Sequence, residues 1–294
     1  MTTPAYRGRF APSPTGSLHF GSLVAAVGSF LDARHQNGDW LVRIEDLDRT
    51  REVPGAASAI LSSLEDFGFY WDDEVIYQSH RTDNYAEIVD RLLSLGLAYP
   101  CSCSRKSIQA EAEIGAEGPI YPGTCRSGAV DRERQNSIRV LTQEMEITIH
   151  DRVQGSYTQN LAQEIGDFVI RRADGFHAYQ LAVVVDDAMQ KITHVVRGAD
   201  LLSSTPRQHY LQRLLGFNIP DYMHLPLVFD RSGRKLSKQD QDTPVDPKRP
   251  MDSLLLALEF LQQPIPPERP TTVDELWQWS IARWRCDTIS AKAG

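Results

Sequence analysis

A proline-rich turn near the start of the chain joins a predicted strand to a predicted helix. The turn, APSPTGSLH, covers residues 11–19 and is followed closely by Gly21. Gly16 and Gly21 let a ligand approach the backbone, and a helix N-terminus presents free N–H groups to phosphate. His19, beside that terminus, can donate a hydrogen bond to a phosphate oxygen. The turn therefore favours a phosphate site, although a plain strand-to-helix turn with a surface histidine has the same pattern.

A second candidate phosphate-binding segment lies far along the chain and carries two lysines. The protein has six lysines against 25 arginines, and two of the six, Lys235 and Lys238, stand three residues apart in the loop RSGRKLSKQ. The compact ammonium group of lysine suits phosphate oxygens, and a loop of this kind can close over a triphosphate. A solvated basic loop is the alternative. Neither segment decides the function alone.

Strands and helices alternate around both segments. Apolar residues recur at helical spacing after Gly21, after Pro54, after Thr82 and after Thr205, whereas residues 6–11, 40–44, 192–196 and 224–229 suit strands. This alternation predicts an α/β protein whose parallel strands are joined by helical crossovers. Ligands bind such sheets at the carboxyl ends of the strands, which is where the proline-rich turn falls.

Three of the four cysteines lie in a middle region, residues 100–165, that interrupts this alternation. Cys101 and Cys103 form a C-x-C pair, and Cys125 follows 22 residues after Cys103. A structural zinc ion takes four ligands in tetrahedral array, and no histidine lies nearby in sequence to complete the three thiolates. Idle or buried thiols are the alternative.

Composition excludes some classes of protein. The charge is −8 and the hydrophobic fraction is 41%, which is ordinary for a folded chain and argues against disorder and against a basic coat. No apolar run approaches the roughly 20 residues that span a bilayer, and the N-terminus has no signal-like stretch. We therefore expect a cytoplasmic protein with reduced cysteines and no membrane partner, in which any RNA contact uses a local strip of arginines.

Together, and in this order, the two segments resemble the signatures of class I aminoacyl-tRNA synthetases. HFGS, residues 19–22, takes the place of the family's histidine motif, and KLSKQ, residues 235–239, that of its lysine-rich loop. Ser22 departs from the second histidine of many members. RFAPSPTG, residues 9–16, is more specific and is similar to the glutamyl branch. The resemblance implies a Rossmann-like parallel-sheet catalytic domain.

The resemblance also implies a reaction with ATP. It assigns ATP binding to His19, Gly21, Ser22 and Lys238, with Mg²⁺ accompanying ATP, and catalysis to His19, Lys235 and Lys238. In that reaction the α-carboxylate of L-glutamate attacks the α-phosphorus and pyrophosphate leaves. We expect no protein nucleophile, since the sequence contains no Ser-His-Asp or Cys-His arrangement. Positioning and charge stabilisation would supply the catalysis.

A glutamate site needs a fixed cation for the side-chain carboxylate, and a bidentate arginine supplies one. The glutamyl branch implies a substrate site that includes Glu45 for the ammonium group. Its other members are Arg9, Phe10, Ala11, Pro12, Ser13, Tyr179 and Arg197. Two of these have plainer explanations, because Glu45 could pair with Arg43 or Arg49 and Tyr179 could be a core residue.

The end of the chain narrows the resemblance. After Gln239 only 55 residues remain, whereas an anticodon-binding domain of typical size needs roughly 100 or more. With the cysteine-bearing insertion, this resembles the glutamyl-branch members that lack an anticodon-binding domain. Those proteins activate glutamate without tRNA and transfer it to the queuosine base in the anticodon of tRNA(Asp). Their zinc site implies Tyr121 as the fourth ligand beside Cys101, Cys103 and Cys125, with one structural Zn²⁺ per chain.

These inferences define an expected organisation and its rivals. We expect a first half of the catalytic domain at residues 1–99, a zinc-bearing insertion at 100–165, the second half with the lysine loop at 166–240, and a helical extension at 241–294. A monomer is expected. The rivals are a truncated glutamyl-tRNA synthetase that charges the 3′ end of tRNA(Glu), a glutamate ligase for a non-RNA acceptor, and a non-catalytic RNA-binding paralogue.

Overall fold

The computed structural model describes residues 5–115, 117–128, 130–131, 135–228, 245–246 and 248–291. Its first three strands are β1 (Arg7–Phe10), β2 (Asp39–Ile44) and β3 (Ile76–Tyr77), and they form a parallel sheet with β2 in the middle. Two further parallel strands, β11 (His194–Gly198) and β12 (Asp221–Leu225), pair with each other. The strands numbered between β3 and β11 belong to the middle region.

One backbone contact joins the two groups of strands. Thr193, just before β11, donates its N–H to the carbonyl of Arg7 in β1 at 2.9 Å. The strand order is therefore β3-β2-β1-β11-β12, as in open doubly wound α/β sheets. The order reverses between β1 and β11, and a crevice at that point is the expected place for a ligand.

Helices α1, α2 and α3 follow the first strands and α6 and α7 flank the later ones. They span Phe20–His35 (α1), Ala56–Asp66 (α2), Thr82–Ser94 (α3), Tyr179–Met189 (α6) and Thr205–Leu215 (α7). Helix α1 is buried along most of its length because it packs on the sheet. A Cβ atom at Gly28 would lie 2.6 Å from Leu225 of β12, so a glycine is what permits this close approach.

The middle region is antiparallel. Strands β4 (Ala98–Cys101), β7 (Ser137–Val140) and β10 (Val169–Arg171) form one sheet, and β8 (Glu146–Asp151) pairs with β9 (Gly155–Asn160) as a hairpin. A small hairpin joins β5 (Ile114–Gly115) to β6 (Gly118–Pro119). Two short helices complete the region, α4 (Arg105–Glu111) and α5 (Leu161–Glu164).

The last two helices pack against α1. They are α8 (Pro250–Phe260) and α9 (Val273–Arg283), and α9 begins with a capping box formed by Thr272 and Glu275. Trp277 of α9 donates its indole N–H to the carbonyl of Phe67 at 3.1 Å and lies in the main core. The C-terminal helices thus extend the hydrophobic core of the sheet. No helix in the described ranges is long and apolar enough to cross a membrane.

Two sequence predictions of secondary structure need correction. The strand predicted over 224–229 begins earlier, at Asp221, and ends at Leu225 in β12. Pairing with β11 decides this, because His194 opposite Asp221 begins the ladder. The sequence pattern also does not indicate α6, in which every residue from 181 to 187 is buried, so that apolar positions do not alternate with exposed polar ones.

Candidate active site

The proline-rich turn is held between β1 and α1 by backbone hydrogen bonds. Glu45, just after β2, donates its N–H to the carbonyl of Pro12 at 3.0 Å, and Val53 donates to Pro14 at 3.0 Å. These contacts fix the turn against the carboxyl end of the neighbouring strand. The side chains on it are therefore presented by a rigid backbone.

His19 is the N-cap residue of α1. Its Nδ1 accepts a hydrogen bond from the backbone N–H of Ser22 at 3.2 Å, and its Nε2 lies 2.9 Å from the Ser22 hydroxyl. A Cβ at Gly21 would lie only 3.2 Å from the His19 ring. Glycine at position 21 therefore makes room for the imidazole at the helix N-terminus, where backbone N–H groups favour phosphate.

A cleft of about 360 Å³ opens at the point where the strand order reverses. The carboxyl ends of β1 and β11 both line it, so these two strands point the same way. The cleft brings together nine of the residues named from the sequence: Arg9, Phe10, Ala11, Pro12, Ser13, His19, Gly21, Ser22 and Arg197.

A second pocket of about 250 Å³ adjoins the first. Ser13, Thr15 and Arg51 line both pockets, and Glu45 and Tyr179 line only the second. The two remaining predicted glutamate contacts are therefore next to the cleft rather than in it. The catalytic candidates Lys235 and Lys238 lie outside the described residues.

Arg9 is almost fully buried and is already paired. Its Nε and one terminal nitrogen contact the two carboxylate oxygens of Asp187 in α6 at 3.2 and 3.4 Å. This bidentate contact fixes the plane of the guanidinium. Although burial raises the pKa of Asp187, Arg9 and Arg43 hold it below its usual value. Asp187 is therefore an ionised partner that orients Arg9.

A buried charge network lies beneath the cleft. Arg43 of β2 contacts Asp187 at 2.8 Å and Glu45 at 3.3 Å. Asp186, which precedes Asp187 in α6, accepts hydrogen bonds from Arg81 at 2.6 Å and from Gln78. These contacts connect α6 to the chain before α3. Glu45 thus pairs with Arg43, as the plainer explanation had it, but in the interior rather than on the surface. Burial raises the pKa of Glu45.

Sequence reasoning missed the two aspartates of this network. Asp186 and Asp187 are adjacent and follow the apolar run LAVVV. The available signal was a pair of acidic residues directly after an apolar run, because ionised groups that are carried into an interior require partners.

Arg197 is held on two sides. Its Nε contacts Nε2 of His224 at 3.0 Å, and one terminal nitrogen contacts Thr205 and Gln208 at 2.9 and 2.8 Å. The other terminal nitrogen donates to the Tyr179 hydroxyl at a long 3.3 Å. Burial raises the pKa of Tyr179, so the phenol stays neutral. Tyr179, which lines the adjoining pocket, is thus a partner of Arg197, which lines the cleft.

The three cysteines of the middle region converge. The Sγ atoms of Cys101, Cys103 and Cys125 all lie within 4.8 Å of one another. The Tyr121 hydroxyl lies 3.3 Å from Cys101 and 3.7 Å from Cys103. Sulfur atoms around a tetrahedral zinc are about 3.8 Å apart, given Zn–S bonds of about 2.3 Å. The cluster could therefore hold a metal, and its soft donors suit zinc.

Arg139 completes the surroundings of this cluster. Its Nε contacts Cys101 at 3.3 Å, and its guanidinium carbon lies 3.9 Å from the centre of the Tyr121 ring. A buried cation beside thiolates offsets part of their negative charge. Apart from the cluster itself, few apolar side chains pack in this part of the described chain. A metal would therefore supply order that a core cannot.

Comparison with known proteins agrees with this geometry. The family model for tRNA synthetases class I (E and Q), catalytic domain, matches residues 5–254. A glutamate tRNA ligase from Elizabethkingia meningosepticum, solved with its amino acid, superposes with a TM-score of 0.80 at 26% identity over 98% of this chain and 67% of that chain. The α/β Rossmann-like catalytic fold of the class I synthetases is therefore confirmed.

Sequence relatives narrow the class. A glutamyl-Q tRNA(Asp) synthetase from Chromobacterium violaceum is 52% identical over 99% of this chain and 97% of its own length. One from Dechloromonas aromatica is 53% identical over 98% of this chain and 97% of its own length. The chain belongs to the glutamyl-Q tRNA(Asp) synthetase family.

Proposed function

We propose that the protein is a ligase that activates L-glutamate with ATP without tRNA and transfers it to the queuosine base in the anticodon of tRNA(Asp). The observation that carries this proposal is the single cleft that holds Arg9, Arg197 and His19 at the reversal of the strand order. Two buried arginines suit an acidic side chain, and the N-terminus of α1 suits a nucleotide phosphate.

The glutamate end of the cleft has a distinct chemistry. Arg9 and Arg197 each have one terminal nitrogen outside the contacts that orient them, and these face the substrate's side-chain carboxylate in our proposal. Ser13 and Tyr179 add hydrogen bonds, while Phe10, Ala11 and Pro12 form the wall from β1. Glu45 receives the ammonium group. An amide or apolar side chain would leave the buried arginines without a charge partner, which disfavours such substrates.

The nucleotide end uses the turn and the helix. His19, Gly21 and Ser22 contact the phosphates near the attacked α-phosphorus, and Lys235 and Lys238 act on the departing pyrophosphate. Mg²⁺ accompanies the ATP. The α-carboxylate oxygen forms the new bond to phosphorus as the bond to the bridging oxygen breaks, so that no side chain becomes covalently modified. Charge stabilisation by preorganised groups lowers the barrier.

The acceptor is inferred from the relatives. Those with about half of their residues identical are named for glutamyl-Q tRNA(Asp), whereas the glutamate tRNA ligase is 26% identical. This contrast supports queuosine in tRNA(Asp) over the 3′ end of tRNA(Glu) and over a non-RNA acceptor. The presence of His19, Lys235 and Lys238 supports an enzyme over a non-catalytic paralogue.

We propose that Cys101, Cys103, Cys125 and Tyr121 hold one structural Zn²⁺ per chain. The mutual distances of the three thiols and the phenol support this assignment. The ion would fix the loops between β4 and β7. The four-part division at residues 99/100, 165/166 and 240/241 and a monomeric state remain proposals.

Isotopic exchange between pyrophosphate and ATP tests the first step. We expect exchange that depends on L-glutamate, proceeds without tRNA, and is at least about 100-fold slower with L-glutamine, because a buried charge partner is lost. Exchange only in the presence of tRNA, or equally with glutamine, would contradict the proposed activation step.

A further inference from the structure

We infer that His224 and Asp151 are positioning residues that set the orientation of Arg197 by fixing the tautomer of a buried imidazole. The inference rests on the proposed function in one respect, namely that Arg197 contacts the glutamate side chain. Neither residue lines the cleft or its adjoining pocket.

Asp151 and His224 form a fully buried pair. Nδ1 of His224 lies 2.6 Å from a carboxylate oxygen of Asp151, and both side chains have no exposed area. Asp151 also accepts backbone N–H groups from His224 at 3.0 Å and from Gln154 at 2.8 Å. Every one of these contacts needs an acceptor, so the carboxylate is ionised. These hydrogen bonds hold the pKa of Asp151 below its usual value although burial raises it.

The acceptor role of Asp151 determines the imidazole. Nδ1 must carry the proton, because it faces a carboxylate that only accepts. Burial lowers the pKa of His224, which keeps the ring neutral and leaves a lone pair on Nε2. That lone pair faces Nε–H of Arg197 at 3.0 Å. With the other tautomer two N–H groups would face each other, and Arg197 would lose this contact.

His224 therefore fixes one edge of the guanidinium and the contacts of α7 fix the other. With Nε bound to His224 and one terminal nitrogen bound to Thr205 and Gln208, the plane of the group is determined. The remaining terminal nitrogen is directed to Tyr179 of the adjoining pocket. The arginine is thus oriented before substrate arrives, which lowers the entropic cost of binding.

The pair also brings the middle region into the active site. Asp151 ends β8, and two hydrogen bonds connect the turn that follows it to β12. Arg152 donates its backbone N–H to the carbonyl of Tyr222 at 3.0 Å. Gln154 donates its side-chain N–H to the carbonyl of His224 at 2.8 Å. The β8–β9 hairpin therefore supports the glutamate pocket from outside the catalytic sheet.

Nitrogen-15 NMR of histidine-labelled full-length protein tests the tautomer without any substrate. We expect His224, assigned by the signal lost in His224→Gln, to be neutral with its proton on Nδ1 at pH 7. In Asp151→Asn the amide can donate to Nδ1, and we expect the proton to move to Nε2. A wild-type proton on Nε2, or a charged ring, would overturn the inference.

Kinetics of glutamate-dependent pyrophosphate exchange test the consequence. We expect His224→Leu and Asp151→Asn to raise the KM for glutamate by about 10-fold or more, with the KM for ATP changed less than about two-fold, as loss of a charge-assisted hydrogen bond predicts. His224→Gln keeps an acceptor for Arg197 and a donor for Asp151, and we expect a KM within about three-fold of wild type.

Tyr222→Phe is the matched control. Tyr222 lies in β12, as His224 does. The substitution removes its buried hydrogen bond with Gln212 but keeps the aromatic ring that packs near the guanidinium group of Arg197. We expect its KM for glutamate to be unchanged. If Asp151→Asn moves the proton yet leaves this KM unchanged, the positioning role is wrong. If the wild type shows no glutamate-dependent exchange, the proposed function fails instead, while the tautomer is still measured.

Discussion

Arg9 and Arg197 share a feature at the residue scale. Each is buried and has its Nε in contact with a partner that another element supplies, Asp187 for Arg9 and His224 for Arg197. A flexible arginine would have to be ordered by its substrate, whereas these two are ordered by the fold. The pocket is therefore prepared for an acidic side chain.

Asp187 gives a residue-scale prediction. We expect Asp187→Asn to raise the KM for glutamate about 10-fold or more, because the amide cannot accept both N–H groups of Arg9 and leaves a buried cation partly unpaired. Steady-state exchange measures it. Asp221→Asn is the control, since Asp221 is exposed and begins β12, whereas the opposite end of that strand lines the cleft. Equal KM values for glutamate in the two variants would show that Asp187 does not orient Arg9 for glutamate binding.

Lys238 gives a second residue-scale prediction. We expect Lys238→Ala to lower the rate of glutamate activation at least about 100-fold, because a preorganised cation on the leaving group is lost. Single-turnover adenylate formation measures it. Lys248→Ala, at an exposed lysine, should leave the rate unchanged. Undiminished activation in Lys238→Ala would refute the role given to the lysine loop.

At the element scale, the junction of the turn and α1 couples helix structure to chemistry. Gly→Ala inside a helix usually stabilises by about 0.5–1 kcal/mol, yet a methyl group at Gly21 would crowd His19. We expect Gly21→Ala to slow activation about 10-fold or more without lowering the melting temperature. Calorimetry and pyrophosphate exchange measure the two effects. Ser62→Ala in α2 is the helical control, and full activity in Gly21→Ala would contradict the proposed fit.

Several elements meet at one buried carboxylate. Asp32 of α1 accepts hydrogen bonds from Tyr6 at 2.6 Å, from Arg152 at 2.6 Å and from Trp284 at 2.9 Å. It therefore connects the residue before β1, the β8–β9 turn and the chain after α9. These contacts come from positions up to 252 residues apart in sequence.

We expect Asp32→Ala to lower the free energy of unfolding by about 3 kcal/mol, because the buried Tyr6 hydroxyl and the buried Trp284 indole N–H would lose their acceptor. Denaturant titration with circular dichroism measures this. Asp287→Ala breaks an exposed pair with Arg285 and should leave the midpoint unchanged. A midpoint for Asp32→Ala equal to that of wild type would show that this junction does not stabilise the fold.

The sequence predicted most of the local structure and less of the site. Helix α1 follows from local spacing, and the turn before His19 follows from its own prolines and glycines. Asp187 and Asp151 could not be assigned in that way, because their partners Arg9 and His224 lie 178 and 73 residues away. Only the packed sheet brings such pairs together.

At the scale of the whole molecule, the middle region contributes a candidate metal centre beside the catalytic sheet. We expect one zinc per chain in the purified protein. We expect much less zinc in Cys125→Ser, because the substitution removes one of the three thiolate ligands. Tyr121→Phe should weaken zinc binding about 10-fold. Elemental analysis and competition with a chelator measure both. Cys286→Ser is the control, and zinc loss in that variant instead would contradict the assignment.

The proposed function depends on the acceptor to which the activated glutamate is transferred. The most direct measurement is transfer of labelled L-glutamate to tRNA(Asp) with queuosine, to tRNA(Asp) without it, and to tRNA(Glu), each followed by removal of the 3′-terminal adenosine. We expect label only on queuosine-containing tRNA(Asp), and we expect it to be retained after the 3′ end is removed. Label on tRNA(Glu), or label lost with the 3′-terminal adenosine, would contradict it.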